Sequence, residues 1–343
     1  MPRRGSLLAY GVTRLILAIP MLLILLTIVF AILRIVPGDP IYALYGGKAT
    51  AAVIAQQRHL LGLDKPYYEQ YLAYLAQIFT ANFGISLGAH YGGQNVLSVI
   101  MQKLPATIEL AIGSMIVATI IGIGIGVISG INRDKAVDVL GRIYGTTIFV
   151  IPVFWLGLML QFLFAVDLKW FPVNSRFDPS PFPPATITGL YTIDSLLEGR
   201  LDLFIISIRH LFLPCLTLGL VLSGFFTKTV RANLLRTMNA DYVEAARARG
   251  IKDRTIISRY AFKNALIPVI TVLGLQFAIL FAGAVLTETT FNWDGMGRLL
   301  TDSIEIQDYP LVQGTIIVFS FIIVVISIAV DLLSGLIDPR VRY

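Results

Sequence analysis

The 343-residue chain is 56% hydrophobic, only 14% charged, and carries a net charge of +6. A soluble domain has about 25% charged residues, so this composition excludes an ordinary water-soluble globule and points to lipid as the main solvent. The basic excess fits a membrane protein whose Lys and Arg gather on one side better than a nucleic-acid binder.

A helix needs about 20 mostly apolar residues to cross about 30 Å of hydrocarbon. In chain order, the first segment of this kind is Leu15 to Leu33, uncharged and bracketed by Arg14 and Arg34. It is longer than a signal-peptide core of about 7–15 residues. Pro37-Gly38-Asp39-Pro40 after it offers no small-residue cleavage site, so it reads as a retained helix. A long outer segment then runs from Val36 to Lys103. Within it, Ala49 to Leu61 and Tyr67 to Phe79 read as amphipathic helices broken by Gly62-Leu63-Asp64-Lys65-Pro66. Residues 1–103 thus form a first span with an extracytoplasmic segment, and residues 104–343 a five-helix core. The second span is roughly Leu104 to Ser129 and holds one acid, Glu109. The third is roughly Val139 to Val166. Lys169 to Asp202, with Pro179, Pro181, Pro183 and Pro184, reads as an ordered outer cap. The fourth span is roughly Phe204 to Thr227, with Arg209 and His210 in its first turns. Its Cys215 is the only cysteine, which excludes an intrachain disulfide, and His59, His90 and His210 lack metal-ligand spacing. The fifth span is roughly Leu266 to Leu286 and the sixth roughly Leu311 to Val330. The expected fold is therefore all-α and integral to the membrane, with six transmembrane helices.

Charge sets the orientation. With the N-terminus in the cytoplasm, the inner segments hold 17 of the 27 Lys and Arg residues. The last outer loop is acidic, with Glu288, Asp294, Asp302, Glu305 and Asp308 against Arg298. Six crossings place both termini in the cytoplasm.

The inner segment from Lys228 to Lys263 is too polar to cross and too long for a turn. Asp241 at an N-cap with Glu244 three residues on has capping-box spacing. Ala245, Ala246 and Ala248 favour helix, and Gly250 suits its end. A second helix starts at Asp253 and runs through Ile256, Tyr260, Ala261 and Ala265 into Ile267-Pro268. A short helix with a small-residue face is built for docking another protein. A basic loop resting on anionic headgroups accounts for the Arg and Lys residues but not for this register.

Glu109, Gln161 and Gln276 are polar groups at membrane depth and so candidates for a translocation path. A charge there costs at least about 2.5 kcal/mol and normally faces a wet cavity or a partner. Solvation at the outer interface is the alternative for Glu109, and interhelical hydrogen bonding for the two glutamines. The chain has no Gly-x4-Gly-Lys-Ser/Thr loop to cradle ATP phosphates. It also lacks the paired acids or Ser/His arrangement of a membrane enzyme and the midplane carboxylates of an ion-coupled secondary transporter.

Glu244-Ala245-Ala246, Gly250 and Ile267-Pro268 resemble the EAA pattern of ATP-binding-cassette import permeases. Pro37 to Pro40, Leu61 to Pro66 followed by Gln70-Tyr71, Leu104 to Leu110, Asp241-Tyr242-Val243, Asn264 to Pro268, Phe291 to Gly297, Asp308-Tyr309-Pro310 and Asp338-Pro339-Arg340 narrow the resemblance. Together they resemble the B-type membrane subunit of the oligopeptide, dipeptide and nickel permease family. The resemblance spans nearly the whole chain; Asp294 departs from it, since the family commonly has proline before Gly295.

The resemblance implies a type I importer permease in the cytoplasmic membrane of a prokaryote. It implies a second homologous permease subunit, two cytoplasmic subunits that bind ATP and Mg, and an extracytoplasmic substrate-binding protein. No cofactor is expected in this chain and no nucleic acid as partner. Asp241, Tyr242, Glu244, Ala245, Ala246, Ala248 and Gly250 would contact an ATPase. The expected cargo is a peptide, with nickel or an oligosaccharide as alternatives.

Overall fold

The computed structural model describes residues 7–35, 50–60 and 62–337. The motifs at Pro37–Pro40 and Asp338–Arg340 lie outside the described residues. Among the described residues the chain is helical, with one isolated bridge between Ile85 and Asn95 and no strand.

Helix α1 (Leu7–Ile35) contains the first expected span. Outside it, α2 (Ala51–Leu60) and α3 (Tyr67–Phe79) flank a turn in which Gly62 takes φ +65°, a conformation that glycine adopts without strain. Tyr74 of α3 is buried between Leu26 of α1 and Ile317, so the segment carrying α3 is docked on the bundle. Helix α4 (Val96–Ile131) starts earlier than the expected Leu104, because the Asn95 side chain accepts the Ser98 N–H and caps it there. The division expected at residues 103 and 104 therefore falls inside a helix.

The third expected span is not one straight helix. It consists of α5 (Ala136–Val150), α6 (Val153–Leu160) and a π-helical stretch, Gln161–Asp167, with a 103° bend between Val150 and Val153. Pro152 supplies no N–H to continue the ladder, and it holds Ile151 in an extended conformation (φ −64°, ψ 128°).

The segment expected to form the outer cap contains α7 (Tyr191–Leu197) and leads into α8 (Leu201–Met238). A short helix, α9 (Asp241–Ala248), follows. A single turn at Asp253–Thr255 and a π-helical stretch, Ile256–Phe262, then run into α10 (Lys263–Phe291). Helices α11 (Met296–Glu305) and α12 (Tyr309–Ile337) complete the chain.

Helices α1, α4, α8 and α12 are long and apolar enough to cross a membrane, and the bent α5–α6 unit brings the number to five. The fifth expected span falls on α10, where the apolar stretch picked out by length is the shorter Ile279–Phe291.

The most extensive packing joins α4 to α8. Gly122, Gly126 and Gly130 recur every four residues on α4 and face Phe226, Val230 and Leu234 of α8. A Cβ on Gly126 would sit 2.8 Å from Val230 Cβ, and one on Gly122 2.5 Å from Phe226 Cβ. Lipid tails are as apolar as leucine, so membrane helices gain by such close van der Waals approach over small residues.

Candidate coupling surface and the outer polar cap

Helix α9 is defined at both ends. Its N-cap is Ala240 (φ −85°, ψ 147°), which has no side chain to cap with, and Asp241 is the first helical residue. The expected capping box with Asp241 as N-cap is therefore not formed. Asp241 and Glu244 instead share the first turn, where their charges complement the free N–H groups. At the other end Gly250 takes φ +73°. Its N–H donates to Arg247 O at 2.9 Å and the Ile251 N–H to Ala246 O at 3.2 Å. That pair of bonds is the Schellman termination.

The two faces of α9 differ. Val243 and Ala246, three residues apart and so on one side, are buried with Leu234 of α8, Ile256, Ala261 and Ala265. Asp241, Tyr242, Glu244, Ala245, Ala248 and Gly250 are exposed. The small residues therefore do not form one docking face. Ala246 seats the helix on its own chain, whereas Ala245 and Ala248 point outward.

The polar residues of the spans serve a second construction. Glu109 is buried on α4. It accepts from Arg176 Nη2 at 2.8 Å, from Thr192 N at 2.8 Å and from Thr192 Oγ1 at 2.6 Å. The Arg176 guanidinium lies 3.7 Å from the centroid of the Tyr191 ring, a cation–π arrangement, and also donates to Gly189 O at 2.6 Å. Gln161 donates to Val173 O at 2.8 Å and Thr290 O at 3.2 Å. On α8, Arg209 donates to Trp170 O, and His210 bridges Ser175 O and Asp178.

Four side chains expected at or near membrane depth thus hold the segment between Lys169 and Asp202, which is ordered as the sequence implies. Gln276 is buried on α10 and enters none of these contacts. The sequence reading missed Arg176 and Thr192. The available signal was that an acid inside a span requires a partner, and Arg176 is the cation in the middle of the adjoining outer segment.

Three acids of the expected last outer loop, Glu288, Asp294 and Asp308, are used internally as well. Glu288 accepts from Thr107 Oγ1 at 2.6 Å and from the Arg298 N–H at 3.0 Å. Asp308 accepts from Ser86 Oγ at 2.5 Å and the Gly88 N–H at 2.8 Å. Asp294, the departure from the family pattern, pairs with Lys103 at 2.6 Å.

Residues 122–343 match the family model for a binding-protein-dependent transport system inner membrane component, and residues 7–111 match the amino-terminal model of the same kind of membrane component. The chain is 38% identical over 337 residues to the dipeptide transport system permease protein DppB of Alkalihalophilus pseudofirmus, covering 98% of this chain and all of that protein. It is 41% identical to the probable D,D-dipeptide transport system permease protein DdpB of Escherichia coli, covering 92% of each. It is 34% identical to the glutathione transport system permease protein GsiC of Salmonella paratyphi A, over 98% of this chain and all of that protein. The chain belongs to the binding-protein-dependent transport system inner membrane component family, as a multi-pass permease subunit of an ATP-binding-cassette importer and not itself an enzyme.

Proposed function

We propose that this permease carries short peptides inward, crosses the membrane six times with both termini in the cytoplasm, and is driven through α9. It works with a second homologous permease, two ATP-binding subunits that hold ATP and Mg, and an extracytoplasmic binding protein. The first unit is α1 with its outer segment, and the core runs from α4 onward. The relatives' printed cargoes, a dipeptide, a D,D-dipeptide and glutathione, share short peptide-like chemistry and favour that cargo over nickel or an oligosaccharide.

The observation that carries the mechanism is the two-sided α9. One face is sealed to its own chain, and on the other Asp241, Tyr242, Glu244, Ala245 and Ala248 are exposed among the described residues. This is the ATPase-contact surface. Glu109 and Gln161 are consumed by the outer cap, so Gln276 is the candidate that remains for the path.

Ala245→Trp tests the contact. Tryptophan costs a helix well under about 1 kcal/mol, so the variant should reach the membrane in normal amounts yet lose its ATPases and transport. Neutralising Arg247, Arg249 and Lys252 together should have the smaller effect. Co-purification of the subunits and uptake of labelled dipeptide read both; a silent Ala245→Trp removes the coupling assignment. Competition of that uptake by other peptides, but not by nickel or an oligosaccharide, tests the cargo.

A further inference from the structure

Helix α8 is longer than a bilayer is thick. Its 38 residues span about 57 Å at 1.5 Å each, against about 30 Å of hydrocarbon. On the reading above, the excess hangs into the cytoplasm and ends three residues before α9. A free overhang of this kind would dissipate a push as bending.

The overhang is tied down at two levels. The glycine row of α4 holds Phe226, Val230 and Leu234 at backbone distance. Beside it lies a buried ionic knot. Asp138 of α5 has no exposed surface. It accepts from Arg231 of α8 through Nε at 2.5 Å and Nη2 at 2.7 Å. It also accepts from Ser129 Oγ at the end of α4 at 2.6 Å and from the Asp134 N–H in the α4–α5 turn at 3.0 Å. Arg142 flanks it at 3.9 Å. One carboxylate therefore joins the end of α4, the turn, the start of α5 and α8. The second support of α9 is built differently. Ile256–Phe262 is π-helical, a rare form that appears mostly as a single-turn bulge and frequently at functional sites. It is tied to the seat by apolar contacts of Ile256 and Ala261.

We propose that Asp138 and Arg231 are a positioning lock that makes the α8 overhang one rigid body with α4 and α5, so that movement of α9 is delivered to that pair while Ile256–Phe262 absorbs the change in angle toward α10. The proposal rests on α9 being the ATPase contact. The glycine row sets how closely α8 lies on α4; the bidentate pair, with its fixed fork geometry, ties α8 to α5 and to the α4–α5 turn as well. A purely structural role would be met equally well by apolar side chains, since replacing a buried ion pair by well-packed hydrophobic residues is often neutral.

The test uses the complete transporter in proteoliposomes with its binding protein and ATPases. Asp138→Leu combined with Arg231→Met should assemble and hydrolyse ATP at near-normal rates. Cargo moved per ATP should fall about tenfold, within the range by which changes along a transmission route alter coupling. Arg231→Met alone, which leaves Asp138 buried with only Arg142, at 3.9 Å, as a cationic partner, should reduce assembly. If the double variant keeps the normal cargo-to-ATP ratio, the pair is structural and the lock is refuted.

A second measurement stands even if that variant fails to assemble. Spin labels at Arg133 and Arg249 should keep their separation between nucleotide-free and ATP-trapped states, whereas labels at Arg249 and Lys263 should change theirs. Equal changes in both pairs would overturn the proposal. A silent Ala245→Trp would instead strike the coupling reading beneath it, so the two failures are distinguishable.

Discussion

Glu109 shows what one residue can and cannot declare. An acid within an apolar run announces that it needs a partner, but the partner is chosen by the fold: Arg176 lies 67 residues away and Thr192 lies 83 away. Breaking a buried pair leaves an uncompensated charge, at a cost of about 3–5 kcal/mol. Glu109→Gln keeps the shape and strands the Arg176 guanidinium. It should lower the thermal stability of the purified subunit by a loss of that order while leaving relative preference among cargo peptides unchanged. A stable Glu109→Gln protein with altered cargo preference would return Glu109 to the path. The one-residue shift at Asp241 has a similar origin. Capping-box spacing fixes a register only when the N-cap backbone is extended at that residue, and here Ala240 takes that conformation.

At the scale of elements, periodicity made most helices legible, including the two outer amphipathic ones and the helical run from Asp253 onward. Polar starts were harder to read: the Asn95 cap extends α4 over Gln102 and Lys103, residues that depress an apolar window. The bend at Pro152 was hidden for another reason. Proline is tolerated within membrane helices, as Pro105, Pro214 and Pro268 are here, so its presence does not tell a kink from a break. The ends of α9 carry a sharper expectation. Gly250→Val places a β-branched residue at φ +73°, a strain of about 1–3 kcal/mol. The variant should insert normally but lose ATPase co-purification and transport, and Gly250→Asn, which tolerates the left-handed region, should restore much of both. Equal loss in the two variants would mean that contact at Gly250 matters rather than conformation.

For the whole molecule, the charge bias gives an orientation that the helices alone do not. With Cys215 replaced, a cysteine at Ser180, which is exposed in the outer cap, should react with an impermeant maleimide from outside intact cells. A cysteine at Ser258, exposed beside α9, should react only after the cells are opened. The reverse pattern would invert the topology. The assembly of the outer face was the least legible feature. In sequence Glu109 reads as path-lining or solvated and Glu288, Asp294 and Asp308 as part of an acidic loop, yet each closes a contact between distant parts of the chain. Their pairing depends on which helix ends the bundle brings together, and local spacing carries no record of that.

The glycine row between α4 and α8 has a consequence for the membrane the protein sits in. Phe226, Val230 and Leu234 are seated directly against those glycines, so α8 cannot adjust its depth independently of α4 without unseating them. When a bilayer is thicker or thinner than a helix prefers, tilting is the usual accommodation, and here α4 and α8 must tilt together. Acyl-chain length therefore acts on the angle of a joined pair, and the reach of α9 below the lipid becomes a property of membrane thickness as well as of the protein.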